Sequence, residues 1–190
     1  MKTIYTSVYT LVIFKGEILM DNKLEKMVLT SIFIAFSIII PIQFGFLRIN
    51  IPPFSATLAS HVPMFFSMLI SPASAIVVGV GSAVGFLLAG TPLPVVARAS
   101  MHIIVGFLGA TAIKRGISFK KVVIITSPIH GILEALAVIP FVGFNAFYIL
   151  VVVMIGTMLH HIADGAISYV LLKSLSRAMK RDMTMSILKQ

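Results

Sequence analysis

The sequence predicts an all-α membrane protein with six transmembrane helices in a compact bundle and both termini in the cytoplasm. Composition is the first observation: 58% of the 190 residues are hydrophobic, 11% are charged and the mean hydropathy is +1.07. A soluble domain carries about 25% charged residues, so this chain has too little charge to cover a globule in water. The same apolar excess excludes intrinsic disorder. Because there is no Cys, disulfides, iron–sulfur clusters and thiolate metal sites are excluded too.

Six apolar runs are the second observation. A helix needs roughly 20 apolar residues to cross the hydrocarbon core of a bilayer. The second run is shorter than this and is interrupted by Pro63, so it is predicted as a tilted or partial helix. The predicted spans are residues 27–47, 58–70, 73–90, 93–113, 122–141 and 145–172.

The distribution of basic residues is the third observation. Thirteen of the fifteen Lys and Arg residues lie before the first span, between the fourth and fifth, or after the sixth, and Arg48 and Arg98 are the exceptions. With six spans, these three groups share one side of the membrane, which the positive-inside rule makes the cytoplasm. We therefore interpret the net charge of +9 as orientation in the lipid bilayer of the plasma membrane and expect no nucleic acid partner.

Three regions follow from this pattern. Residues 1–22 form an N-terminal segment, either an interfacial helix or a start-site extension, because the apolar run at residues 4–14 is too short to span and has no cleavage site. Residues 23–181 form the six-helix transmembrane domain, which we expect to bind the substrate. Residues 182–190 form a cytoplasmic tail.

Charged and imidazole side chains interrupt the last three spans at helical spacing. A charge at the centre of the bilayer costs roughly 2.5–3.5 kcal/mol on insertion scales, so each needs a partner or a task. Residues four apart lie on one face of a helix. The pairs are Arg98 with His102, His130 with Glu134, and His160 with Asp164, and His161 adjoins the last pair.

Arg98 has two interpretations, which are compatible with each other. Its planar guanidinium matches a carboxylate, so it is a candidate to bind an anionic ligand in an outward-facing pocket. It is equally a candidate for a structural salt bridge with Glu134, which would then orient it. His102, His130 and Glu134 are each interpreted either as pocket lining or as packing and pairing residues.

Four further residues are candidates at the outer face. His61 opens the second span and either binds a ligand or caps a helix end. Asn145 and Tyr148 begin the sixth span and either close a pocket or, for the Asn, cap a helix. Asn50 lies in the loop 48–54, whose two prolines stiffen the chain, so that the loop serves as a lid or as an ordinary connector.

Counting residues along the helices separates these groups by depth. Arg98 lies less than two turns below the outer surface, whereas His160 and Asp164 lie roughly 22 and 29 Å down at 1.5 Å per residue. We therefore expect His160, His161 and Asp164 to be structural or to face a partner, apart from an outward substrate pocket.

Motifs for catalysis are absent. The sequence has no P-loop, no His-Glu-x-x-His and no Gly-x-Ser-x-Gly motif. Two acids within the spans are few for a proton relay or hydrolysis. We expect no catalytic residue, no cofactor and no metal, but a binding and passage subunit driven from elsewhere. Remaining alternatives are a stand-alone secondary transporter and, more remotely, a membrane haem protein with His102 and His130 as axial ligands.

Several stretches resemble a known family. The run Ile51-Pro52-Pro53-Phe54-Ser55-Ala56-Thr57-Leu58-Ala59-Ser60-His61-Val62-Pro63-Met64-Phe65, the triplet Ile70-Ser71-Pro72 and the glycine-rich residues 79–86, with six helices, are similar to the S components of energy-coupling factor (ECF) vitamin transporters. Among these, the niacin-type S components are the most similar. The resemblance covers roughly residues 23–181.

This resemblance implies a substrate-capturing subunit that joins a transmembrane T subunit and two ATPase subunits. Ser31 and Ala35, four apart on the first helix, correspond to the small-residue patch that meets the T subunit in many members. The implied vitamin is niacin, with another vitamin or precursor as the main rival. Arg98 and His102 would then meet the carboxylate of nicotinate, and we expect Arg98→Ala to abolish binding with little loss of folding. Candidate residues for stacking on its ring are Phe144, Phe147 and Tyr148.

Overall fold

The computed structural model describes residues 22–178, 180 and 182–184. The segment predicted at residues 1–22 lies outside this part except for its last residue, as does most of the predicted tail. The elements are α1 (Asn22–Gln43), a 3-10 turn (Gly45–Leu47), β1 (Arg48–Ile51), β2 (Phe54–Thr57), α2 (Val62–Met68), α3 (Pro72–Leu88), α4 (Leu93–Ser100), α5 (His102–Lys114), α6 (Phe119–Val142), a π-helical segment (Phe147–Ile155) and α7 (Gly156–Ala178).

Within the described part of the chain, four helices are long and apolar enough to cross a membrane. They are Lys23–Gln43, Leu93–Lys114, Phe119–Val142 and Phe147–Ala178, and the apolar α3 is somewhat shorter. The predicted all-helical membrane fold is therefore confirmed, apart from one small hairpin. Six crossings and the cytoplasmic position of both termini stay predictions.

The second predicted span differs from a full helix. Antiparallel strands β1 and β2 pair Arg48 with Thr57 and Ile51 with Phe54, and the chain then continues into α2, which has seven residues. A helix of that length covers only about 10 Å. Because the α2 side chains of Phe65 and Met68 are buried, this short helix lies inside the bundle and not against lipid.

Local signals in the sequence fix where α3 begins and α6 ends. Ser71 caps α3 by accepting a hydrogen bond from the Ser74 N–H, and Pro72 takes the first helical position, where a missing N–H costs nothing. α6 ends at Gly143, which has a φ of +71° that a residue with a side chain rarely adopts.

Small residues on α3 bring its neighbours into close backbone contact, as is common in membrane helix packing. Gly81 and Gly85 face α1, Gly79 faces the start of α5, and Gly106 of α5 lies against Ala75. These small-residue stripes therefore serve packing within the chain.

The interior is layered along the bundle. An apolar core at one end is built around Phe65, Val105 and Val122, and a second one at the other end around Phe54, Val138 and Val153. On α6, the polar residues 130 and 134 lie between Val122 of the first core and Val138 of the second. On the last helical run, the polar residues 157, 160, 161 and 164 lie between Val153 of the second core and Leu172 of the first. The polar side chains are thus held in the middle of the bundle, between two apolar cores.

Gly85→Ala tests the packing of α1 on α3. A Cβ at this position would lie 2.6 Å from the Ile38 Cα, so the helices must separate, and overpacking of this kind costs about 1–3 kcal/mol. We expect a lower unfolding temperature in detergent. Val84→Ile adds the same methyl group on an exposed position of the helix and should leave that temperature unchanged. Equal effects of the two changes would contradict close packing here.

Candidate substrate site: a buried histidine layer

Eight buried or nearly buried polar residues meet in the middle of the bundle. We call this set the histidine layer, and its members are His61, Arg98, His102, His130, Glu134, His160, His161 and Asp164. All five histidines of the chain belong to it. His61 lies at the centre, and the distances from its ring centroid to those of the other four histidines range from 4.4 to 5.6 Å.

Arg98 and Glu134 form an ion pair within this layer. The guanidinium donates from Nε and Nη2 to Glu134 Oε2 at 2.8 and 2.7 Å, and the Thr157 hydroxyl donates to the same oxygen. Arg98 also donates to the carbonyl oxygens of Ser55 at 3.1 Å and, more weakly, Pro53 at 3.4 Å. A buried charge is stable only when it is paired in this way, so Glu134 fixes the direction of the guanidinium.

A hydrogen-bonded chain orients two of the histidines. The Thr126 hydroxyl donates to the Val122 carbonyl at 2.7 Å and lies 3.0 Å from His161 Nε2. A hydroxyl has one proton, so Thr126 accepts from His161 Nε2–H. His161 Nδ1 is then the acceptor in its 3.0 Å contact with His130 Nδ1. His130 Nδ1 is consequently the donor in this contact, and a neutral His130 ring presents a lone pair at Nε2.

Asp164 ties the start of α2 to α7. Its two carboxylate oxygens accept the backbone N–H groups of Ala59 and His61 at 2.9 and 3.0 Å. His160 Nε2 lies 3.1 Å from the same carboxylate and 3.1 Å from the Thr57 carbonyl. The loop after β2 is therefore anchored deep in the bundle by a fully buried acid.

Two cavities adjoin the layer. The central cavity of about 20 Å³ is lined by His61, Arg98, His102, Glu134 and His160 among others. An outer cavity of about 410 Å³ is lined by Asn50, Pro53, Asn145 and Tyr148 among others. Ser55 and Val95 line both cavities. The outer cavity has the size of a small-molecule site, whereas the central one has room for a single water or ion.

A known transporter is similar to the chain over most of its length. The niacin transporter NiaX of Lactococcus lactis subsp. cremoris (strain MG1363) is 30% identical over 176 residues, which cover 84% of this chain and 78% of that protein. The chain belongs to the niacin transporter family. The resemblance to the niacin-type S components is thereby confirmed, and with it a membrane transport protein that is not an enzyme. Neither a family model nor a solved structure matches the chain.

The structure divides the predicted substrate residues into two groups. His61, Arg98, His102, His130 and Glu134 come together in the histidine layer. The other three predicted residues line the outer cavity, and they are Asn50, Asn145 and Tyr148. His61 stands at the position before α2 but makes no side-chain cap there. The salt bridge that the sequence suggested between Arg98 and Glu134 is present.

The predicted separation by depth is wrong. His160 and His161 were expected apart from the pocket, but their ring centroids lie 4.4 and 5.6 Å from that of His61. Counting along α7 gave only the relative positions of these residues on their own helix. It missed that β2 and the following turn carry His61 inward, where Asp164 holds it. Asp164 and His161 are fully buried, so neither faces a partner protein.

The haem alternative does not fit this geometry. The ring centroids of His102 and His130 are only 5.1 Å apart, and the cavity beside them measures about 20 Å³. A porphyrin plane has no room between these two side chains as they are arranged here.

Sequence reasoning missed three hydroxyl groups that hold the layer. Ser82 lies 2.7 Å from His102 Nδ1, Thr126 orients His161, and Thr157 bonds to Glu134. Thr157 shares its helix face with His161 and Asp164, so a polar stripe at spacings of three and four was the signal for it. Ser82 was hidden among the small residues of α3.

Breaking the Arg98–Glu134 pair should destabilise the protein, which changes the expectation that Arg98→Ala leaves folding intact. Removing one partner of a buried ion pair costs about 3–5 kcal/mol, because the other charge stays buried alone. We expect Arg98→Met and Glu134→Gln each to lower the free energy of unfolding in mixed micelles. The double variant should lose less than the two single losses combined, by about 0.5–3 kcal/mol. Additive losses would show that the two groups do not stabilise each other.

Proposed function

We propose that this chain captures niacin, as nicotinate, for import through an ECF-type transporter of the plasma membrane. The similarity to a niacin transporter is the main support. The second support is that the outer cavity shares the lining residues Ser55 and Val95 with the cavity that Arg98 lines, so the two cavities are neighbours. A flat ring with one carboxylate matches such a pair of cavities.

In the proposed complex, the ring of nicotinate occupies the outer cavity and its carboxylate points toward Arg98. The central cavity is too small for the ring, so only the carboxylate reaches the histidine layer. In the described residues, Nη1 of the guanidinium donates to the Pro53 carbonyl at the long distance of 3.4 Å, and this is the contact that a carboxylate would replace. Tyr148 lines the outer cavity and provides an aromatic surface for the ring.

We further propose that a T subunit and two ATPase subunits complete the transporter, with both termini of this chain in the cytoplasm. Ser31 and Ala35 are exposed on α1, whereas Ser37 and Ile38 on the same helix pack against α3. An exposed pair of small residues permits close approach of another helix. This face is therefore the proposed contact with the T subunit.

Binding of nicotinate by the detergent-purified chain tests the substrate. Calorimetric titration should show saturable binding of nicotinate, and nicotinamide, which lacks the charge, should bind roughly 10- to 100-fold more weakly, since hydrogen bonds to a charged group contribute about 1.5–3 kcal/mol. Equal affinities for the two would remove the carboxylate from recognition. If the chain binds a different vitamin and not nicotinate, that vitamin replaces niacin as the proposed substrate of the transporter.

Tyr148→Ala tests the position of the ring. An aromatic pair contributes about 0.5–1.5 kcal/mol, so nicotinate should bind roughly 2- to 10-fold more weakly. Phe144→Ala is the matched control, because Phe144 is exposed and is not among the residues that line the outer cavity. The ring lies elsewhere if the Phe144 change weakens binding and the Tyr148 change does not.

Ala35→Leu tests the partner surface. The larger side chain blocks close helix approach at an exposed position, so the chain should fold and bind nicotinate normally but fail to co-purify with the T subunit. Ile39→Leu, an exposed change of equal volume on α1, should co-purify as the unchanged chain does. Normal assembly of the Ala35→Leu chain would place the partner contact on another face.

A further inference from the structure

We propose that the histidine layer holds one divalent transition-metal ion, with His61, His102, His130 and Glu134 as ligands. One ligand atom from each of these four residues lies within 4.8 Å of every other. Three imidazoles and a carboxylate suit Zn²⁺, which binds nitrogen and oxygen donors in tetrahedral geometry. The central cavity, which three of these residues line, has room for a single ion.

Two buried imidazole nitrogens beside carboxylates favour a bound cation in this layer. His130 Nε2 and His61 Nδ1 are buried and make no aligned hydrogen bond, although His61 Nδ1 lies 3.0 Å from Asp164 Oδ2. His130 Nε2 lies 3.2 Å from Glu134 Oε1 without hydrogen-bond alignment. When the His130 ring is neutral, the chain through His161 and Thr126 leaves a lone pair on this nitrogen, so two acceptors face each other in a buried site. A cation shared by the two atoms, either a proton or a metal ion, removes this repulsion.

The contacts that metal-binding histidines need on their other nitrogen are already present. Metal-bound imidazoles hold their second ring nitrogen in a hydrogen bond that fixes their orientation. His102 Nδ1 has Ser82 at 2.7 Å, and His130 Nδ1 has His161 at 3.0 Å. Both Nε2 atoms are thereby left for an ion.

The net negative charge of the histidine layer also favours a bound cation. With neutral imidazoles, the layer contains two carboxylates and one guanidinium, and Arg98 is paired with Glu134. Asp164 is less suitable as a ligand for the ion, because both of its oxygens already accept backbone N–H groups. A divalent ion beside Glu134 changes the net charge of the layer from one negative to one positive.

Zinc titration of the full chain, without nicotinate, tests the site independently of the substrate. The chain is purified in detergent with a tag that contains no histidine, treated with a chelator and titrated with Zn²⁺, and bound metal is counted by mass spectrometry. We expect one Zn²⁺ per chain, and Co²⁺ in its place should give the visible absorption of a tetrahedral ion. No saturable binding would overturn the proposal, whatever the result with nicotinate.

Thr126→Val and His130→Gln distinguish a metal site from a cluster with a purely structural role. Thr126→Val removes no ligand but releases His161 and hence His130, so Zn²⁺ should bind about 10- to 100-fold more weakly. Thr111→Val is the control, since that hydroxyl donates only to the Phe107 carbonyl of its own helix. His130→Gln should abolish binding. Zinc affinity unchanged in Thr126→Val or in His130→Gln would overturn the assignment, and Thr126→Val keeps the test valid if His130→Gln does not fold.

Discussion

Partnering of buried polar groups in the middle of the bundle is the constraint on which the rest of the structure depends. Arg98 and Glu134 neutralise each other across α4 and α6, and Thr157 completes the pair from α7. Asp164 binds the backbone before α2. Each of these contacts joins elements far apart in sequence, so the charges that are expensive to bury also determine how the helices are arranged.

This constraint explains why the hairpin and the short α2 exist. A continuous second helix would carry its own backbone hydrogen bonds and leave Asp164 without the N–H groups of Ala59 and His61. An extended strand also covers more distance per residue than a helix, so β2 brings His61 deep into the bundle within a few residues. The result is an imidazole at the point where all the other histidines converge.

The sequence was informative where patterns are local. Apolar runs located the long helices, and spacings of four grouped Arg98 with His102 and His130 with Glu134 on single helix faces. The Arg98–Glu134 pair, predicted as an alternative interpretation, is present. Nothing local indicated that β2 would fold inward, because that depends on Asp164, more than a hundred positions away. For the same reason the convergence of five histidines from α5, α6, α7 and the start of α2 could not be predicted from their spacing.

The π-helical segment Phe147–Ile155 links residues at the outer cavity to residues of the histidine layer. Tyr148 lies on this segment and lines the outer cavity. Thr157, His160 and Asp164 follow it in α7, which continues the same helix. Each residue of a π-helix turns through a smaller angle than one of an α-helix. If the segment tightened to ordinary winding, the helix beyond it would rotate about its axis and swing the acid away from the backbone it anchors. Tyr148 at the outer cavity and the buried groups Thr157, His160 and Asp164 are therefore carried by one continuous run of helix.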